Sequence, residues 1–477
     1  MPRMRRFAVS ALLALAVLTP LSAADPPAVL SPETRATAVR LREQALAGTR
    51  AADWARGLSD EVGPRLAGSP GDQAAVAWAL AVLRAQGFAN VRAEKVRVPV
   101  WQRGIETGEV TTPYAQKLVL TALGGSVATP EGGLEAEVIE FASYEAMEAK
   151  KNSVAGKIVF FNKKMERTAD GSGYGPAVAF RSSGPARAGK LGAVGVLIRS
   201  AGTGNERLPH TGGTLYDPAV PGIPAAALSI PDAELLERLG RLGKPVRVRF
   251  TLTSRQMPEG ESANVIGEIV GREKPEEIVL LGAHLDSWDL GTGALDDAAG
   301  CGIVLEAARM IGQLRVKPRR TIRVVLFANE ENGLAGGIAY AKDHAAELSR
   351  HAAAIEADSG TGGPTGLAWN AGPSAEPVVR EIAAILSGIG AGNLVAGGHG
   401  GADISRLVTA GVPLFGILQD ATRYFDYHHT ANDTFDKIDP EALDRATAAT
   451  AVFAYIAAEA PRPFEKIPAD KRGAPRF

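Results

Sequence analysis

Residues 277–300, EIVLLGAHLDSWDLGTGALDDAAG, constrain this chain more than any other stretch. An apolar run long enough for one buried strand stops abruptly at His284, Leu285 and Asp286. A glycine-rich loop with Gly291 and Gly293 follows, then the adjacent carboxylates Asp296 and Asp297, then helix-forming composition over 298–311. The pattern is buried strand, polar loop, helix N-terminus. In open α/β sheets ligands sit beyond the carboxyl ends of the strands, where this loop falls. His284 and Asp286 are two apart, so in extended backbone both side chains project from one face. That suits a metal-bound imidazole whose other ring nitrogen is held by a carboxylate. The same residues also have a plain structural reading, with Asp286 in a turn and Asp296 as a helix N-cap.

From Ser262 onward the strand-and-helix rhythm repeats. Strands are expected at 263–269, 277–284, 321–329, 352–357 and 413–418, and helices at 298–314, 334–348, 375–388 and 441–458. Such alternation predicts an α/β fold: a mixed, largely parallel sheet covered by helices on both faces. Upstream, 34–46 and 74–86 read as helices, the latter started by SPGD at 69–72, and 90–101 as a strand. Between 112 and 255 the texture changes to short β-type runs, glycine, proline and one helix-to-strand unit, GPARAGKLGAVGVLI. This reads as an inserted α+β domain. The expected organisation is therefore a signal peptide at 1–24 and the first part of the main domain at 25–111. The insert follows at 112–255, the rest of the main domain at 256–462, and a tail at 463–477 that is a surface strap or disordered.

Three arginines within residues 1–6, an apolar run over 7–21 and the small residues Ser22, Ala23 and Ala24 compose a secretory signal peptide cut after Ala24. The mature protein is expected to be periplasmic or secreted. No later apolar run is long enough to span a bilayer, so no membrane insertion is expected. Cys301 is the single cysteine, which excludes an intramolecular disulfide, and its apolar helical setting suits a buried structural thiol. A formal net charge of −1 offers no electrostatic footing for nucleic acid.

Further polar clusters follow the other expected strands. Glu330 and Glu331, then Asn332 and Gly333, follow 321–329; Asp358 and Ser359 follow 352–357; Tyr427, His428, His429 and Thr430 come near the end, with Asp433 and Thr434 after them. Taken singly, each has a structural explanation: a helix cap, a turn, a satisfied core histidine. Together they would require unrelated carboxylates and imidazoles to gather after successive strands. Of the seven histidines, His344 reads as solvated and His351 as structural, while His210, in the LPHTGG segment, reads as a solvated loop residue able to reach over the site. With His284, Asp296, Glu331, Asp358 and His429 as ligands and Asp296 bridging, three carboxylates face two dications. The surplus of one positive charge is what a bridging hydroxide would neutralise. Mixed nitrogen and oxygen donors favour zinc. Two ions about 3.5–4 Å apart polarise a carbonyl and acidify the water between them. Glu330, beside a ligand but not needed as one, is the natural general base, and Asp286 would orient His284.

HLDSWD, the Asp296-Asp297 pair before Ala-Ala-Gly, NEENG, EADSG and HHTANDT resemble, in order, the five motifs of the co-catalytic dizinc exopeptidases. That family includes bacterial aminopeptidases, glutamate carboxypeptidase and carboxypeptidase Q. The similarity covers nearly all of 31–460, and the insert resembles a protease-associated domain. The resemblance implies the zinc exopeptidase fold, two Zn2+ per chain, and the ligand, base and orienting roles just given. The spacing His-Thr-x-x-acid-Thr selects His429 as the ligand of the histidine pair. Where some relatives have tyrosine before that histidine, this chain has His428, as in carboxypeptidase Q. HLDSWD, SGTGGPTGL at 359–367 and GGHGGADI at 397–404 also resemble carboxypeptidase Q. His428 is then expected to replace the phenol as a neutral donor to the developing oxyanion. The implied activity is hydrolysis of dipeptides or short peptides, with a homodimer as the implied assembly. The alternatives are a broad zinc aminopeptidase, a one-zinc glutaminyl cyclase, and a catalytically inactive receptor-like binding module. The last predicts missing ligands, and none is missing here.

Overall fold

A computed structural model of the protein describes residues 29–474, so the expected signal peptide at 1–24 lies outside the described residues. Strand Lys274–His284 runs through the middle of an eight-stranded sheet, and its last seven residues are all buried. A parallel strand covered on both faces needs such an unbroken apolar run. Alternation divides it between two cores: Val279, Leu281 and Ala283 enter the larger one, Leu280 the smaller one on the opposite face.

Across the sheet the order is Ala89–Gln102, Arg255–Ile269, Arg320–Phe327, Lys274–His284, His351–Glu356, Leu414–Gln419, Pro364–Asn370, Asn393–Ala396. The four central strands, from Arg320–Phe327 to Leu414–Gln419, are mutually parallel, so their carboxyl ends share one edge. Antiparallel pairs flank them. Helices Pro32–Leu46, Ala299–Gly312, Glu376–Leu386 and Pro440–Glu459 cover the face with the larger core; Ala335–Asp343 and the short turn Ile404–Ala410 cover the other. Three of the helices start at a side-chain cap followed by proline. Ser31 Oγ accepts from Thr34 N–H, Ser69 Oγ from Asp72 N–H, and Asp439 from Glu441 and Ala442 N–H. The expected mixed, largely parallel sheet with helices on both faces is what forms.

Residues 106–252 build a second eight-stranded sheet, with the parallel strands Leu134–Phe141, Ile158–Phe161, Gly195–Arg199 and Ala225–Leu228 at its heart. Helices Tyr174–Lys190 and Ile230–Gly240 pack on it, and it has its own apolar clusters. The sheet begins with the polar strand Glu106–Thr112, upstream of the boundary expected at 112. The chain leaves the first sheet from Ala89–Gln102 and re-enters it at Arg255–Ile269, two strands that pair with Gln102 opposite Arg255.

Several expectations are corrected. Strands Pro364–Asn370 and Asn393–Ala396 were not anticipated; the second is short and largely exposed, so it carries little apolar signal. Of the two alternatives for the tail, the described residues after Pro461 form the strap: Phe464 and Ile467 are buried, and Lys466 Nζ donates to the His351 carbonyl at 2.6 Å. His344 is not solvated, since its ring lies between Glu94 Oε2, at 2.8 Å, and Glu347. His351 and Cys301 are buried as expected. No helix among the described residues is long and apolar enough to cross a membrane.

Candidate metal centre

His284 ends the central strand with its side chain fully buried, and its Nε2 lies 3.0 Å from Asp296 Oδ1 and 3.6 Å from Asp358 Oδ1. Asp358 arrives just past the neighbouring parallel strand His351–Glu356, as expected for a ligand beyond a strand's carboxyl end. On the far side of Asp296, Oδ2 lies 3.2 Å from His429 Nε2, which is itself 3.0 Å from Glu331 Oε2. The two oxygens of Asp296 thus face two donor sets, His284 with Asp358 and His429 with Glu331. His428 stacks on His429, ring centroids 3.6 Å apart, with its Nε2 3.4 Å from Asp296 Oδ2. It thereby adds a further nitrogen to the second set, beyond the ligands expected from sequence.

Local backbone explains how these side chains converge. Gly293 is left-handed at φ 58°, where a side chain would be strained. Gly291 runs so close to the histidine loop that a Cβ there would sit 2.6 Å from the Thr430 carbonyl. The Asp433 carboxylate accepts from Leu295 N–H, at 2.6 Å, and Asp296 N–H, at 3.2 Å, which fixes the backbone at Asp296. Arg65 is wholly buried and donates to the carbonyls of Leu285 (2.6 Å), Thr292 (2.7 Å) and Gly293 (2.9 Å), pinning both ends of the loop. Asn329 and His429, each flanking or forming part of the site, hold positive φ of 60° and 62°. Non-glycine residues persist there only where their surroundings over-determine them.

Two assigned partners sit differently from expectation. Asp286 does not hold His284 through its carboxylate, whose nearest oxygen is 3.8 Å from Nδ1; its backbone carbonyl takes that place at 3.1 Å. Asp286 Oδ1 instead accepts from Glu330 N–H at 3.0 Å, tying the HxD turn to the turn that carries Glu330. His210 is buried, not a solvated flap, with Nδ1 2.7 Å from the His428 carbonyl.

The electrostatics fit a cation. Among the described residues, Asp286 Oδ2 and Glu331 Oε1 are buried without hydrogen-bond partners, and so is His428 Nδ1. Buried anionic oxygens left bare are costly unless paired or coordinating. Burial, and then the surrounding carboxylates, push Glu330 well above the usual carboxylate range. Burial pushes Asp297 up likewise, although its oxygens accept from the His284 and Gly300 N–H groups. Burial alone would raise Asp296, but the His284 and His429 imidazoles hold it well below that range. Burial would lower His429, yet Glu331 and Asp296 raise it to about 9. The nitrogen and oxygen donors gathered here suit a divalent ion. A cavity of about 360 Å³ opens onto the cluster, lined by Asp296, Glu330, Glu331, Asp358 and His428 together with Arg181 of the second sheet's helix.

Residues 264–454 match the model of peptidase family M28. Over 402 residues the chain is 37% identical to carboxypeptidase Q of Mus musculus and 35% identical to that of Homo sapiens, covering 84% of each chain. The chain belongs to peptidase family M28. The fold agrees: a peptidase M28 precursor from Shewanella amazonensis SB2B superposes with TM-score 0.88 at 44% identity, over 91% of this chain and 99% of that one. The zinc aminopeptidase BSAP from Bacillus subtilis shares the fold at TM-score 0.63 and 23% identity, over 88% and 98%. As an M28 member the protein is a metallo-exopeptidase. In this M28 peptidase, Arg65, Arg181, His210 and Asp433 meet the cluster without having been assigned from sequence. Asp433 is visible in HHTANDT and Arg65 in GPRLAGSPG, but neither spacing reveals which backbone groups they hold.

Proposed function

We propose that the protein is an exported dizinc exopeptidase that hydrolyses dipeptides or short peptides. The observation that carries this reading is Asp296, whose two oxygens face His284 with Asp358 on one side and His429 with Glu331 on the other. Two zinc ions held there would polarise the scissile carbonyl and make water a competent nucleophile at neutral pH. Glu330 supplies the base: its raised proton affinity suits taking a proton from the attacking water and passing it to the departing amine. His428, kept neutral by burial and by its neighbour His429, donates an N–H towards the oxygen on which charge develops. Arg181 lines the cavity without a carboxylate partner among the described residues, and its guanidinium fits the free carboxylate of a short peptide. That favours a dipeptidase or carboxypeptidase over a broad aminopeptidase.

Export rests on the leader at residues 1–24, and a two-copy assembly on the likeness to carboxypeptidase Q; N-terminal sequencing and sedimentation test these. For the chemistry, Glu330→Gln should retain two zinc ions per chain by elemental analysis while kcat falls about 10²–10⁴-fold. Near-native kcat at full metal occupancy would remove Glu330 from the role. Free dipeptides should be cleaved in preference to aminoacyl-anilides, which lack a carboxylate; the reverse order would establish the aminopeptidase reading.

A further inference from the structure

Beside the helix that carries Arg181, the second sheet reaches the cluster through the loop 208–214, wedged behind the paired histidines. His210 is buried, and its Nδ1 lies 2.7 Å from the His428 carbonyl. A carbonyl only accepts, so Nδ1 carries the proton and donates. The next residue takes the other half of the pair: Thr211 N–H donates to the His429 carbonyl at 3.0 Å. The Thr211 carbonyl lies 3.2 Å from His429 Nδ1. Arg181 Nη1 is equally close to that nitrogen, but it has acceptors of its own in the Tyr174 hydroxyl, at 2.7 Å, and the Thr211 carbonyl, at 3.3 Å. Nδ1–H donation to Thr211 therefore leaves Nε2 as the nitrogen that faces Asp296 and Glu331, able to give its lone pair to a metal ion once the ion displaces its proton.

The loop is itself anchored. His210 N–H donates to Ser200 Oγ (2.8 Å), which donates to the Leu228 carbonyl (2.6 Å), and Thr211 Oγ1 donates to the Ala122 carbonyl (2.9 Å). Behind the imidazole there is no slack: a Cβ on Gly202 would lie 2.1 Å from His210 Cε1. His429 sits at φ 62°, a conformation that needs such restraint from outside its own loop.

We infer that His210 and Thr211 are positioning residues, locking His429 in the orientation and tautomer that aim Nε2 at the cluster, so that the second sheet sets the affinity of one metal position. The inference rests on the dizinc reading. Groups that hold a ligand's second nitrogen typically change metal affinity about 10–100-fold when removed. Here the removable partner is the His210 imidazole, which acts through the peptide between the two histidines.

The test is zinc affinity by competition with a chromogenic chelator, together with kcat and KM on a free dipeptide. His210→Phe keeps the ring but not the donor. It should weaken one of the two zinc ions about 10–100-fold, leave the other and KM little changed, and lose kcat in a way that excess zinc restores. His210→Asn, whose amide nitrogen occupies the place of Nδ1, should bind both ions nearly as the parent does. Gly202→Ala pushes the imidazole from its far side without touching the histidine pair, so it should reproduce the weaker ion, and it carries the test should the phenylalanine variant not fold. Native affinity for both ions in a folded His210→Phe or Gly202→Ala protein, even with a lowered Tm, overturns the inference. His429→Ala separates the two readings: it should lose the same ion outright. If it kept both ions, the dizinc reading would fail and this inference with it.

Discussion

His428 shows how much of a site's chemistry rests on one side chain's surroundings. Burial and the neighbouring His429 hold its imidazole well below the usual histidine range, so it is neutral at working pH. Its Nδ1 has no hydrogen-bond partner among the described residues, while its Nε2 faces Asp296 from 3.4 Å. A neutral imidazole there can serve as an oxyanion donor or as an additional metal ligand, and a single substitution separates the two. As a donor, His428→Phe should bind both zinc ions normally and leave KM little changed, while kcat falls about 10²–10³-fold, the usual loss for one such group. Loss of an ion from that variant would make His428 a ligand; unimpaired kcat would leave it only the loop it belongs to. His428→Tyr should recover part of the rate, since a phenol can donate to the same place.

Among the elements, the loop after the central strand joins the two sheets. Trp288 leaves the HLDSWD turn to enter the second sheet's core, packed so tightly on Gly124 that a Cβ there would lie 1.9 Å from the indole. Its neighbour Asp289 takes a two-pronged ion pair from Arg103, at 2.7 and 2.9 Å, and Arg103 also reaches Glu106 and Thr211. Trp288→Ala should therefore cost about 3–5 kcal/mol in a urea titration, as for other buried aromatics. A cost below about 1 kcal/mol would mean that the sheets barely depend on this contact. The elements that could be read in advance are those with strong apolar contrast: the buried parallel strands and the polar clusters that follow them. Glu106–Thr112 and Asn393–Ala396 escaped because their residues are polar or exposed, and pairing rather than burial makes them strands. The candidate cluster was legible because its acids and histidines fall in the loops that follow successive apolar strands, in the order of a known set of motifs. His210 was not, since the contact that defines it spans 218 residues. Asp286 was expected to orient His284 through its carboxylate, and only the folded backbone reveals that its carbonyl takes that place.

For the whole molecule, the buried acids would couple the proposed zinc binding to pH. Without metal, burial raises Glu330 and Glu331, and lifts Asp433 to about 7. A carboxyl raised in the folded state stabilises it fully below the unfolded value near 4, and that stability is lost as pH climbs through the folded value. Asp296 runs the other way, its lowered value losing stability as pH falls. A metal ion must displace the retained protons, so the rise in Tm on adding zinc to chelated protein should grow between pH 5 and pH 7. A zinc-induced shift that is flat over that interval would mean the cluster is not where zinc binds. The pairing of Gln102 with Arg255 carries a different consequence. Adjacent strands lie about 4.7–4.9 Å apart, so the two ends of residues 103–254 meet at the tip of what would otherwise be a simple hairpin, closable by two residues. In chain order, residues 103–254 interrupt that one hairpin at its tip. They could be gained or exchanged without disturbing the order of any strand in the first sheet. A replacement segment that retained catalysis would have to bring its own loop to stand behind the histidine pair.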